Sequence, residues 1–160
     1  RKGGKWGSYL LREAIPAGIQ RLGADPRRVA IGGFSMGGFG ALDLARIAPG
    51  RFCAVGAHSA ALWRTGGETP AGAFDDAADF GRHDLFSSAA GRRLYRVPVW
   101  IDVGTEDPFR AADTEFANTL QTHGVHARFH VWPGGHAYSY WHAHIAAYLR
   151  FYAAALRSCR

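Results

Sequence analysis

The sequence predicts an α/β fold, a parallel sheet flanked by helices, as one domain over residues 1–160. Two observations predict it. Short apolar runs, bounded by Gly, Pro or polar residues, alternate with longer stretches whose apolar residues recur at helical spacing. Such alternation implies right-handed crossovers between parallel strands. The second observation is positional. The most suggestive polar residues follow the apolar runs, on the carboxyl edge of such a sheet, where functional groups of open α/β sheets collect.

Residues 6–22 open the chain with Tyr9, Leu10, Ile15, Ile19 and Leu22 near one helical face, and Pro16 is expected to kink that helix or start a new turn. Asp25-Pro26 makes a turn, and 28–33 reads as a buried strand around Val29-Ala30-Ile31. A helix follows through Leu42, Leu44 and Ile47, ended by Pro49-Gly50. Residues 52–57 form a second strand. Residues 62–96 lack a clean period and read as a long excursion with short helical pieces, such as 73–80. A third strand covers 97–103, a helix 109–123 and a fourth strand 127–132. The loop Pro133-Gly134-Gly135 leads to a last helix over 138–158. Its Trp141, Ile145, Tyr148, Leu149, Tyr152 and Leu156 form an apolar stripe.

Composition excludes several classes. No run approaches about 18 apolar residues, so nothing spans a membrane as a helix. The net charge is +6, but the 17 arginines among 19 basic residues are scattered, with pairs only at Arg27-Arg28 and Arg92-Arg93. A nucleic-acid binder clusters its cations on one face, so this is a solvated basic surface and no nucleic-acid partner is expected. Cys53, in an apolar run, reads as a small buried hydrophobe. A bridge to Cys159 is compatible with the sequence without being required by it, so cytoplasmic and secreted locations both stay open.

Gly33-Phe34-Ser35-Met36-Gly37 matches G-x-S-x-G between a buried strand and a helix. There the glycines permit a strained turn that lifts the Ser35 hydroxyl above the sheet, rather than making Ser35 a mere helix cap. The Met36 amide then points to where an oxyanion forms, aided by the helix N-terminus. A serine needs a base. Of eight histidines, His126 and His130 alternate with Arg128 and face water, and His123 closes a helix. His142 and His144 ride the last helix, and His83 lies in the excursion. His58, after the second strand, is the one rival. His136, last in order and in a Gly-Gly loop, is the preferred base. Asp107, in the loop after Gly104, is the acid that fixes its tautomer. Glu106 is second choice, and Asp102, within the strand, makes structural hydrogen bonds.

Three stretches together resemble the family of esterases related to esterase D and the mycolyltransferases. They are Ile31-Gly32-Gly33-Phe34-Ser35-Met36-Gly37-Gly38, Asp102-Val103-Gly104-Thr105-Glu106-Asp107-Pro108-Phe109, and Pro133-Gly134-Gly135-His136 with Tyr140-Trp141. The resemblance implies an α/β-hydrolase fold, no metal or organic cofactor, and a small-molecule ester as substrate. It puts Ser35, Asp107 and His136 at the triad positions and Met36 in the oxyanion hole. It also implies strands before the nucleophile strand and a second oxyanion amide from one of their loops. Neither has a counterpart ahead of Val29, and the chain starts without Met. These residues are therefore expected to form the carboxyl-terminal part of a longer hydrolase, with reduced activity when isolated. A bare apolar sheet edge would then invite self-association.

The expected activity is ester cleavage through an acyl-enzyme on Ser35. A sugar or lipid alcohol replacing water would make an acyltransferase, and loss of chemistry would leave a hydrolase-like binding domain. Phe34, Trp63 and Trp141 are expected to line the acyl site.

Overall fold

The computed structural model describes residues 5–87 and 96–159. Four parallel strands pair in chain order: β1 (Ile31–Phe34), β2 (Val55–His58), β3 (Val99–Gly104) and β4 (Ala127–Trp132). Ile31 stands opposite Val55, Val55 opposite Val99 and Val99 opposite Ala127, so the strands enter the sheet level. Their carboxyl ends therefore share one edge, which brings the loops after β1, β3 and β4 together.

β1 begins later than the 28–33 pattern predicts and includes Phe34. The Arg28 amide donates to the Asp25 carbonyl in a turn (3.0 Å), and the Val29 carbonyl accepts from the Cys53 amide (2.7 Å), in the segment that precedes β2. β3 likewise starts after Pro98, which has no amide to give. Residues 6–22 are helical throughout, as α1 (Trp6–Tyr9), a π-helical turn (Leu10–Ala14) and α2 (Ile15–Leu22). The wide turn stands just ahead of Pro16, whose missing amide breaks the regular bonding there.

The other α-helices among the described residues are α3 (Met36–Ile47), α4 (Ala77–His83), α5 (Arg110–Thr122) and α6 (Tyr138–Ser158). One face of the sheet packs on α3 and α5 through Leu42, Val55, Ile101, Phe116 and Leu120. The other packs on α6 through Ala54, Trp100, Tyr148 and Phe151. Burying each large apolar side chain contributes roughly 1.5–3 kcal/mol. β1 and β4 form the two edges of the sheet among the described residues.

The buried face of α6 differs from the predicted stripe. Tyr140, Tyr148, Phe151 and Ala155 point inward, while Ile145 and Leu149 are exposed, Leu149 by 60%. The reason is polar. The Tyr140 and Tyr148 hydroxyls find a buried acceptor in Asp102, so these rings go inside and rotate the aliphatic residues outward.

In the excursion, α4 begins at Ala77 rather than near residue 73, because the Asp76 carboxylate caps it by accepting from the Asp79 amide (2.7 Å). Asp43 of α3 accepts from Arg46 (2.5 Å) and His83 (2.7 Å), tying α4 to α3. The Arg92-Arg93 pair lies outside the described residues. Cys53 and Cys159 are joined in a disulfide with Cα atoms 5.5 Å apart, fastening the end of α6 to the segment entering β2.

Candidate active site

The turn between β1 and α3 carries Ser35 at φ +53°, ψ −120°, a left-handed conformation that a residue with a side chain adopts only under local constraint. The constraint is visible. The Ser35 amide donates to the His58 carbonyl (3.0 Å), and the Ser35 carbonyl accepts from Gly38 (3.0 Å), Phe39 (3.2 Å) and Ala61 (3.0 Å). Gly33 is needed because a Cβ there would stand 2.4 Å from the Gly37 carbonyl carbon. The result is a tight elbow with the serine at its tip. Because the Gly38 and Phe39 amides close on the Ser35 carbonyl, the Met36 amide heads α3 at the positive end of the helix dipole.

His136 follows β4 in the loop before α6. Its Nε2 lies 2.8 Å from the Ser35 hydroxyl and its Nδ1 lies 2.8 Å from an oxygen of Asp107. A carboxylate only accepts, so Nδ1 carries the proton and donates to Asp107. Nε2 of the neutral ring is then left to accept from Ser35. The other Asp107 oxygen accepts from the Phe109 amide (2.8 Å), which fixes the carboxylate from both sides. The Asp107 side chain is fully buried and the His136 ring a quarter exposed, so the relay runs from the interior to an open face.

Main-chain contacts set this geometry. The Glu106 amide donates to the Gly134 carbonyl (2.9 Å) and the Thr105 amide to the Trp132 carbonyl (2.9 Å), so the loops bearing Asp107 and His136 are zipped together. Gly104 permits that contact, as a Cβ there would meet the Gly134 oxygen at 2.2 Å. The imidazole lies between Phe109 and Trp141, with ring centroids at 5.3 and 5.2 Å.

Beside Ser35 opens a cavity of about 530 Å³ with walls that include Met36, Phe39, Trp63, Phe74 and Phe109. Trp63 is thus one wall of the cavity beside Ser35. Phe34 and Trp141 do not wall this cavity. They stack on each other 5.1 Å apart on the α6 side of the sheet, because Phe34 still belongs to β1 and points away from α3. Glu106 is exposed and does not bond His136.

His58, the rival base, is engaged elsewhere. It is buried, with Nδ1 2.6 Å from Asp102 and Nε2 2.9 Å from the Tyr152 hydroxyl. Asp102 itself does make structural bonds at the strand, accepting also from Trp100, Tyr140 and Tyr148. His130 departs from expectation: it is partly buried, 4.4 Å from the Trp100 ring and stacked 4.9 Å from Trp132. Burial pulls its pKa below the ordinary value. Alternation along β4 misleads there because α6 covers that face. His123 closes α5 by bonding the Thr119 carbonyl (2.7 Å).

Sequence reasoning overlooked Asp113 in the first turn of α5. It is fully buried, and burial, then the charge of Asp107, pushes its carboxyl up to about 9. Among the described residues no group of three His, Cys, Asp or Glu is arranged to hold a metal ion, and no helix is long and apolar enough to cross a membrane.

The family model described as "Putative esterase" matches residues 2–152. A solved ferulic acid esterase superposes with a TM-score of 0.79 at 26% identity, covering 96% of this chain and 62% of its own. An S-formylglutathione hydrolase from Agrobacterium tumefaciens gives 0.69 at 27% identity, covering 93% of this chain and 57% of its own. MPT51 of Mycobacterium tuberculosis shares the fold, with a TM-score of 0.69 at 22% identity over 97% of this chain and 69% of its own. The chain thus spans about six-tenths of the length of the first two structures. No curated protein sequence matches it significantly. With the α/β-hydrolase sheet, the serine elbow and a family match over nearly its whole length, the chain belongs to the putative esterase family.

Proposed function

We propose that this chain carries the chemistry of a serine hydrolase that cleaves carboxylic esters through an acyl-enzyme on Ser35. One observation carries the reading: an unbroken hydrogen-bond relay from the Ser35 hydroxyl through both nitrogens of His136 to Asp107.

The steps follow from that relay. His136 Nε2 takes the hydroxyl proton as Ser35 Oγ attacks the ester carbonyl, and Asp107 stabilises the imidazolium that forms. The negative charge developing on the carbonyl oxygen meets the Met36 amide and the α3 N-terminus, an arrangement whose donors are each worth roughly a hundredfold or more in rate. The imidazolium returns its proton to the departing alcohol. Water, deprotonated by the same nitrogen, then attacks the acyl-enzyme and frees the acid and Ser35. The apolar cavity beside Ser35, walled by Phe39, Trp63, Phe74 and Phe109, suits an apolar or aromatic acyl group. Of the two other residues expected at the acyl site, Trp141 serves in this reading as a flank of the imidazole, and Phe34 backs Trp141 by stacking on it.

A fluorophosphonate probe tests the proposal. Labelling of the folded protein that disappears in Ser35→Ala supports it; a folded protein that never labels favours the hydrolase-like binding domain instead. Adding candidate alcohols to an ester assay separates hydrolysis from acyl transfer, since only transfer yields a new ester. The β1 edge is flanked by a groove containing Leu10, Ile15, Val29, Ile31 and Phe52, which supports self-association through that edge. Sedimentation of the isolated chain as a monomer at high concentration would remove that part.

A further inference from the structure

Asp102 is fully buried in β3, two residues before Gly104, and one carboxylate accepts four bonds. On one oxygen are His58 Nδ1 (2.6 Å) and Trp100 Nε1 (2.7 Å). On the other are the hydroxyls of Tyr140 (3.0 Å) and Tyr148 (2.8 Å). Four donors more than satisfy a helix-to-sheet tie, and two of them lead toward the active site.

We propose that Asp102, acting through Tyr140, is a positioning residue that holds the His136 loop at its working distance from Ser35. Tyr140 lies in the first turn of α6, and its amide donates to the carbonyl of Ala137, the residue after His136 (3.1 Å). Its ring supports Gly134, where an added Cβ would meet Tyr140 Cδ2 at 3.0 Å and where φ is +130°. The loop is therefore gripped from two directions: by the Asp107 loop through the Glu106–Gly134 bond, and by the Tyr140 ring, anchored on Asp102. The same carboxylate reaches the nucleophile. His58 bonds Asp102 with its ring while its carbonyl accepts the Ser35 amide (3.0 Å). One buried acid thus references both the nucleophile elbow and the base to β3.

The polarity of the tie is fixed. Burial, then the Asp102 charge, holds the Tyr140 and Tyr148 hydroxyls far above the ordinary phenol value, so both remain donors. Tyr148 supplies an internal control. It donates to the same Asp102 oxygen, yet it sits two turns further along α6, and a phenylalanine there keeps the ring stacked on His58.

The inference rests on the serine-hydrolase reading, and the experiment separates the two. Tyr140→Phe and Tyr148→Phe are compared in the full chain for melting temperature, fluorophosphonate labelling rate, and kcat and KM on a p-nitrophenyl ester. Similar losses of stability are expected from both. Only Tyr140→Phe should slow labelling and lower kcat, by about tenfold to a hundredfold with KM unchanged, as a displaced base does. Equal kinetic losses in the two variants, or none in either, would overturn the tie. If wild type never labels, the hydrolase reading fails, and the tie is judged by the low-field proton resonance of His136 Nδ1–H. Loss or shift of that signal in Tyr140→Phe alone supports the tie, and identical spectra for the two variants refute it.

Discussion

Two histidine–aspartate pairs near the carboxyl end of β3 are built to nearly the same length, His136–Asp107 at 2.8 Å and His58–Asp102 at 2.6 Å. In both, the acid's side chain is fully buried, Asp102 within β3 and Asp107 in the loop after it. They differ at the other ring nitrogen. That of His136 faces a serine hydroxyl at a quarter-exposed surface beside a cavity, whereas that of His58 faces the Tyr152 hydroxyl under α6, with 3% of its side chain exposed. A short imidazole–carboxylate bond therefore says nothing about chemistry by itself. What the second nitrogen meets, and whether a substrate can reach it, decides the role.

Exchanging the imidazoles for alanine breaks the comparison most sharply. His136→Ala is expected to cut ester turnover by about 10⁴- to 10⁶-fold while leaving the melting temperature almost unchanged. His58→Ala strips Asp102 of one donor and leaves the Tyr152 hydroxyl unpaired in the core. Its main effect should be a stability loss of roughly 3–5 kcal/mol in chemical denaturation, with the folded fraction still labelling. A His58→Ala protein as stable as wild type but inert would reverse the assignment. Next in size, Asp107→Asn should lower kcat by about 10⁴-fold, because an amide at that position no longer enforces the Nδ1–H tautomer. The fold should survive, since the amide oxygen still accepts from Phe109. Circular dichroism together with kcat checks both halves.

The disulfide acts on the His58 side. It fastens the far end of α6, the helix that delivers Tyr148 and Tyr152 to His58, and it closes a loop with a sequence separation of 106. Reduction is expected to lower stability by about 2–4 kcal/mol in urea unfolding. The relay at Ser35 is held by loops at the other end of α6, so labelling of the reduced, still folded protein should continue at the oxidised rate. A parallel loss of both would mean that α6 moves as a lever.

The two pairs were not equally legible. Ser35, Asp107 and His136 sit in local signals: glycines around a serine between a strand and a helix, an acid after a buried strand, a histidine after Gly134-Gly135. These signals work because the turns require glycine at short range, as the Gly33–Gly37 and Gly104–Gly134 contacts show. The other pair is assembled from β2, β3 and α6 by contacts between residues dozens of positions apart, and no short window contains them. The inward face of α6 departs from the stripe pattern for the same reason, since Tyr140 and Tyr148 are buried by an acceptor on another element. The alternating pattern predicts an exposed His130 because it does not reveal that a helix covers the polar face. The disulfide likewise depends on where α6 ends relative to β2.

Asp113 supplies the finest test, because it feels both acids at once. Burial, then Asp107, and more weakly Asp102, raise its carboxyl to about 9, against an unfolded value near 4. Between those limits the folded chain holds a proton that the unfolded chain has released, so this group favours folding at low pH and progressively less as pH rises toward 9. The expected slope is about 1.4 kcal/mol per pH unit at most. Asp113→Asn, neutral at every pH, should remove it, so the variant gains on wild type by roughly that amount between pH 7 and pH 8 in urea unfolding. A difference that stays flat across this window would show that Asp113 is ionised in the folded protein. Neutralising the neighbours then ranks the pairs. Asp107→Asn should weaken the pH dependence of stability more than Asp102→Asn, because Asp107 is the larger charge contribution at Asp113. The opposite order would mean that Asp102, despite its four donors, projects the stronger field, and that the charge of the His136–Asp107 pair is the better neutralised of the two.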